Sequence, residues 1–336
     1  MSSYASPFAS RYRVNAQHIF GQNSSVTVRR PRLRQFDCAI PVFDREQRAA
    51  ADNFANQTFR VRQSDPLPDS GPPAEDRRPP PGRPGPDSRD DHPVADVIFF
   101  DLDGTLVDHR SAVWEAIGQI AAAAPNAMAP PEELATLWWT LEARHMREYL
   151  SGQCSFDEHH RRRLRSFLPM LGEQVPESPG LLDDWIAERY LPVFEESWRC
   201  YPDVQPCLEA LKRLPDGPRL AVLTNGDPEQ QCAKLSRFGL LEYFETVLTP
   251  TELGAAKPAA YAGACRRMRT DPARAVNVGD MLESDVTAAA VAGLTGIWLD
   301  RGIDFVTGGP SPTADETVLR IERLTDLPAH LSRTNA

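Results

Sequence analysis

Asp101 and Asp103 stand two apart in the run Asp101-Leu102-Asp103-Gly104-Thr105, so in extended chain their side chains point to the same side. Two carboxylates on one side repel unless a cation lies between them or one holds a proton, and oxygen ligands of this kind suit Mg²⁺. Gly104 lets the backbone turn tightly and leaves room for a ligand. Asp280 and Asp285, in Gly279-Asp280-Met281-Leu282-Glu283-Ser284-Asp285, can bring more carboxylate to the same edge. Thr224 and Asn225 offer a hydroxyl and backbone N–H groups just ahead of a helix expected from Pro228, whose start adds partial positive charge. Lys257, followed by Pro258, supplies a compact cation. Together these groups make a site for a phosphoryl group.

Such groups need elements to carry them. Residues 96–100 form a short unbroken apolar run that ends at Asp101, as expected of a strand buried on both faces. Similar runs cover residues 220–223 before Thr224, 275–278 before Gly279-Asp280, and 296–299 before Asp300, with a weaker one at 246–248. Helical patterns lie between them, at residues 203–214 (Val204, Leu208, Leu211 and Leu214 on one face) and 228–238. The alternation predicts a doubly wound α/β fold with a parallel sheet, whose ligands sit beyond the carboxyl ends of the strands. Residues 112–199 break the alternation and read as consecutive helices, a lid over that edge. One spans 132–150 with Leu134, Leu137, Trp138, Leu141, His145 and Tyr149 in a stripe; the next opens on a capping box at Ser155-Phe156-Asp157-Glu158.

Taken singly, most of these motifs have plainer readings. Thr224-Asn225-Gly226 alone is a turn, and Asp280 and Asp285 alone are helix caps. A calcium loop at Asp101 would need a Glu where Ala112 stands, and a helix rather than an apolar strand before it. In this order, each at a strand end, the four motifs DLDGT, LTNG, Lys257-Pro258 and GDMLESD resemble the haloacid dehalogenase-like hydrolases, over residues 96–332. The inserted helices resemble the subfamily with a small α-helical cap. The resemblance implies a core of residues 96–111 and 200–332 and a cap of residues 112–199. It implies that Asp101 attacks phosphorus and forms an aspartyl-phosphate, while Asp103 protonates the leaving alcohol and then deprotonates water. It further implies Mg²⁺ held by Asp101, the main-chain carbonyl of Asp103 and Asp280, phosphoryl oxygens bound by Thr224 and Lys257, and Asp285 orienting Lys257 or the metal's water shell. Dehalogenases of the superfamily lack an acid at position 103, because a departing halide needs no proton, so Asp103 argues for phosphate esters. A phosphomutase on the same core, or a binding or regulatory protein without turnover, are the other classes. Many relatives place an acid after the Lys-Pro pair, where Ala259 and Ala260 follow here. The stretch LTNGDPEQQCAKL is also similar to N-acylneuraminate-9-phosphatases and some nucleotidases.

In the helical insert Arg144, His145 and Arg147 share one expected helix, and His159, His160 and Arg161–Arg163 lie on the next. Arg144, His145 and His160 are candidates for binding a second anionic group of the substrate. The plainer reading is a solvated basic face for the arginines and a core role for His145 and His160, which continue apolar stripes. Upstream, ten of the 31 prolines fall between Pro66 and Pro93, which no helix or strand accommodates, so residues 1–95 read as a disordered Arg/Pro-rich arm. That arm holds 14 Arg and 11 acids, net +3, leaving −13 of the overall −10 on the rest, which argues against nucleic acid as partner. The expected partner is a small phosphorylated metabolite. No apolar stretch is long enough to span a membrane, and six cysteines without CxxC spacing fit a reducing cytoplasm. Six Arg and no acid in residues 1–34 leave organelle targeting as the alternative location.

Overall fold

A computed structural model of the protein describes residues 95–214, 216–303, 311–315 and 317–333. The arm expected over residues 1–95 lies outside the described residues save for Ala95. The chain enters on strand β1 (Val97–Phe100) and passes into consecutive helices: α1 (His109–Ala122), α2 (Pro131–Leu150), α3 (Phe156–Phe167) and α4 (Pro179–Trp185). A π-turn at Ile186–Tyr190 leads into α5 (Leu191–Glu196). Alternation then resumes with α6 (Val204–Lys212), β2 (Arg219–Leu223), α7 (Pro228–Arg237) and β3 (Thr246–Leu248). It continues through α8 (Pro250–Leu253), α9 (Tyr261–Met268), β4 (Ala275–Gly279), α10 (Ala288–Val291) and β5 (Thr295–Leu299). Strand β6 (Leu319–Ile321) and helix α11 (Leu327–Arg333) close the described chain.

The six strands of the described residues form one parallel sheet in the order β3-β2-β1-β4-β5-β6, as the alternating pattern predicts. Successive side chains of β1 enter opposite faces, and both faces are apolar. Ile98 and Phe100 join Val222, Val278, Leu208 and Leu327 on one side. Val97 and Phe99 join Ala221, Leu223, Tyr261, Cys265 and Met268 on the other. Strand β6 is absent from the sequence reading. It is a three-residue edge strand with Leu319 and Arg320 exposed, so it carries no buried apolar run to betray it.

The helices between β1 and β2 bury their own core, in which Trp138 packs edge-on against Phe167 at 4.9 Å and lies 4.8 Å from Tyr190. Half of the expected capping box forms: Ser155 accepts from the Glu158 amide at 3.2 Å, while the Glu158 carboxylate takes Arg165 at 2.7 Å instead of turning back. The two chain segments leading into and out of these helices run side by side. Asp108 N donates to Arg199 O at 2.9 Å and Tyr201 N to Leu106 O at 3.1 Å, which ties the helical insert to the sheet's carboxyl edge.

Candidate active site

Parallel register brings the strand ends together. Phe100 pairs with both Val222 and Val278, so the residues following β1, β2 and β4 emerge side by side. The Asp101 amide still donates to Val278 O at 2.9 Å and the Thr224 amide to Leu248 O at 3.0 Å, which fixes both backbones as continuations of the ladder. At this edge Lys257 Nζ donates to Asp101 Oδ1 and to Asp285 Oδ1, each at 2.6 Å, and is almost fully buried. Burial works against its charge, yet Asp101 and Asp285 more than offset that and raise its pKa above the ordinary lysine value.

Asp101, Asp280 and Asp285 each offer an oxygen, and these atoms lie within 4.8 Å of one another. Burial pushes the Asp101 carboxyl up to about 7; Lys257 pulls the other way, while Asp285 and Asp103 add to the rise. Burial and the charges of Asp101 and Asp285 likewise push Asp280 well above the carboxylate range. Carboxylates crowded until they resist ionising are what a hard divalent cation relieves, and an all-oxygen set fits Mg²⁺. The oxygens of Asp285 are already engaged, one by Lys257 and the other by the Met281 amide at 3.1 Å, so its clearest contact is with Lys257. Gly104 is required beside this cluster. Its φ is +92°, and a Cβ there would lie 2.3 Å from Asp280 Oδ2.

Asp103 has a different environment. Lys234 Nζ donates to its Oδ1 at 2.6 Å, Gln231 Nε2 to its Oδ2 at 2.8 Å, and His109 Nδ1 lies 3.6 Å from Oδ1. Burial pushes this carboxyl up, but Lys234, His109 and Gln231 outweigh it and hold it at about 2. His109 is in turn bonded through Nε2 to Glu142 at 2.8 Å, and Glu142 takes Arg163 at 2.6 Å. A chain of polar contacts thus runs from the sheet edge into the helical insert.

Of the residues expected from the sequence, the structure brings Asp101, Asp280, Asp285 and Lys257 together and joins Thr224 to Asp103 through the Gln231 amide. Asn225 does something else with its side chain: it accepts from the Lys257 amide at 2.7 Å and its Nδ2 meets Lys257 O at 3.4 Å, which clamps the lysine's backbone. The insert candidates find partners on the insert. Arg144 is two-thirds exposed and reaches Glu148 at 3.6 Å. His145 is buried and meets Glu148 at 3.0 Å, and the His160 ring packs on His159 and Phe156. Arg161 forms a bidentate pair with Asp183, and Arg162 meets Glu148. The sequence reading missed His109, Glu142, Gln231 and Lys234 as parts of the site. Gln231 and Lys234 lie three apart on the helix that follows Thr224, a spacing that puts both on one face, and this was the signal available.

Comparison with known proteins decides the family. The family model described as haloacid dehalogenase-like hydrolase matches residues 95–293. The chain belongs to this family. A glyceraldehyde 3-phosphate phosphatase of Methanopyrus kandleri is 36% identical over 30% of this chain and 44% of its own. The chain therefore spans under half the length of that relative. An N-acylneuraminate-9-phosphatase of Rattus norvegicus is 25% identical over 64% of this chain and 87% of its own. Among solved structures, a 2-haloacid dehalogenase of Pseudomonas syringae pv. Tomato DC3000 is 30% identical with a TM-score of 0.50, covering 71% of this chain and 99% of that one. In this haloacid dehalogenase-like hydrolase no described helix is long and apolar enough to cross a membrane.

Proposed function

We propose that the protein is a Mg²⁺-dependent phosphoric monoester hydrolase that acts on a small phosphorylated metabolite, with Asp101 as nucleophile. The observation that carries this reading is the separation of Asp101 from Asp103. Asp101 shares a buried lysine with Asp285, while Asp103 is held apart by Lys234 and Gln231 as a second carboxylate beside it. A nucleophile with an independent acid/base group is what an alkoxide leaving group demands.

In the first half-reaction an Asp101 oxygen bonds to phosphorus, the ester P–O bond breaks, and the departing oxygen takes a proton from the Asp103 carboxyl. In the second, water gives that proton back to Asp103 as its oxygen bonds to phosphorus, and the bond to Asp101 breaks to release phosphate. Lys257 and the Thr224 hydroxyl bind the phosphoryl oxygens and meet the charge that builds on them. Asn225 keeps Lys257 in place through its backbone. Asp101, Asp280 and the main-chain carbonyl of Asp103 would hold Mg²⁺, which when bound supplies positive charge at the transferring group. We read helices α1 to α5 as the cap that shields this chemistry from bulk water.

The dehalogenase among the similar structures supports a second reading, hydrolytic dehalogenation, which Asp103 opposes. One experiment separates the two. Phosphate release is measured from a panel of triose, sugar, sugar-acid and nucleoside phosphates, with and without Mg²⁺, beside halide release from 2-haloacids. Phosphate release that needs Mg²⁺ and falls by more than about 10³-fold in Asp101→Asn is expected. Halide release alone, or no release by the folded protein, would overturn the proposal.

A further inference from the structure

The partners of Asp103 come from α7 and the helical insert rather than from the groups around Lys257. Gln231 Nε2 lies 2.8 Å from Asp103 Oδ2 and 3.0 Å from Thr224 Oγ1, so one amide spans the acid/base carboxylate and the phosphoryl-binding hydroxyl. Gly226 makes room for it: a Cβ at that position would lie 1.9 Å from Gln231 Nε2. One turn further on, Lys234 is 0% exposed and donates to Asp103 Oδ1 at 2.6 Å. Its ammonium lies 5.6 Å from the Phe194 ring centroid and 5.7 Å from that of Trp198, both in the chain that returns from the insert.

Stability does not account for this lysine. A buried ion pair seldom improves on a well-packed apolar residue of the same volume, because the desolvation penalty offsets the attraction. Orientation does account for it. Each Asp103 oxygen has one lone pair committed, to Lys234 or Gln231, which stops rotation of the carboxylate and leaves its other lone pairs open for proton transfer.

We propose that Gln231 and Lys234 are positioning residues that fix the Asp103 carboxylate for proton transfer to the leaving oxygen, with Gln231 keeping it in register with the Thr224 hydroxyl. This rests on the phosphatase reading above. The test compares two esters at saturating Mg²⁺: p-nitrophenyl phosphate, whose leaving group departs without a proton, and the alkyl phosphate of the panel that turns over fastest. In Lys234→Met, kcat on the alkyl ester should fall about 10²-fold and on the aryl ester less than about tenfold, with KM within about threefold of wild type. The double variant Lys234→Met/Asp103→Asn should be no more than about threefold slower than Asp103→Asn, because the lysine acts through that carboxylate. Equal losses on both esters, or losses that multiply in the double variant, would overturn the positioning role. If a melting scan shows Lys234→Met unfolded, Gln231→Leu takes its place: the same split between the esters is expected, and equal losses would again overturn the role. Failure of the wild type to release phosphate from either ester would instead refute the phosphatase reading, and this role with it.

Discussion

Arg163→Met is the substitution whose cost can be worked most fully from the structure. Arg163 is buried in the insert, donates to Glu142 Oε2 at 2.6 Å and lies 4.4 Å above the Trp138 ring. Burial pushes Glu142 up, but Arg163 and His109 outweigh it and bring it from 4.5 to about 2. A fall of that size corresponds to about 3 kcal/mol at neutral pH, within the range of roughly 3–5 kcal/mol expected for breaking a buried pair on one side. The contribution is present above the unfolded value of 4.5 and is lost as pH falls through about 2. Methionine keeps most of the packing volume, so the charge is the main thing removed. Without the arginine, burial should raise the folded Glu142 above its unfolded value. The resulting penalty is full at pH 7 and disappears below the unfolded value. Urea unfolding at pH 7 should therefore show a loss of about 3–5 kcal/mol, with melting about 6–20 °C lower, and the gap to wild type should narrow at pH 4. Adding Glu142→Gln should recover more than half of it, since no buried charge is then left unpaired. A loss under about 1 kcal/mol at pH 7, a gap that does not narrow with acid, or no recovery in the double variant would refute the electrostatic account.

Four further outcomes follow from the site. Gly104→Ala places a methyl 2.3 Å from Asp280 Oδ2 at a φ of +92°, so phosphate release should fall at least about 10²-fold and urea unfolding should show a loss of about 1–3 kcal/mol. Mg²⁺ at a hundred times its dissociation constant should stabilise the wild type by about 2.7 kcal/mol, a rise of about 5–10 °C in a melting scan. Asp280→Asn should abolish most of that rise. Lys257→Met leaves Asp101 and Asp285 without their shared cation, and should cost about 3–5 kcal/mol in metal-free buffer and more than about 10²-fold in kcat.

The parts legible in the sequence are those with a one-dimensional signature. A strand buried on both faces is largely apolar, and β1, β2, β4 and β5 announce themselves that way, although β4 buries Asn277, whose Nδ2 donates to Asp285 O at 2.8 Å. Strand β6 does not, because only Ile321 of its three residues is buried, which leaves no apolar run to read. Asp101, Thr224 and Asp280 were legible because each directly follows a strand, whereas Lys257, expected at a strand end, follows helix α8 and was legible only by its place in the ordered motifs. Lys234 and Gln231 were not, although they sit in a stretch already singled out. A lysine on an amphipathic helix ordinarily reads as the solvent face, and only the fold shows that this one is turned under the insert onto Asp103. The same holds for Arg163, read as part of a solvated basic face and found at 3% exposure against Glu142 and Trp138. In both cases a tertiary partner distant in sequence decided what the local pattern left open.

Asp101 and Asp103 are the same residue two positions apart, yet their surroundings divide them. Burial and the neighbouring Asp285 push Asp101 up to about 7 despite Lys257, whereas Lys234, His109 and Gln231 hold Asp103 at about 2 despite burial. Positive charge arriving among Asp101, Asp280 and Asp285 would release Asp101 to ionise, which is the form a nucleophile needs. An anionic substrate arriving beside Asp103 would act the opposite way and raise its affinity for a proton, which is the form a general acid needs. With Asp101 as nucleophile and Asp103 as acid, as proposed above, each carboxylate rests away from its working state until the site is filled. Environments that push paired carboxylates apart are how one site assigns two roles to one residue type. The division depends on α7 and the insert together, since Gln231 and Lys234 come from the first and His109 with Glu142 from the second. His109 reaches Asp103 from the insert, and the Phe194 and Trp198 rings lie over Lys234, so the surroundings of this carboxylate are shared between the two parts.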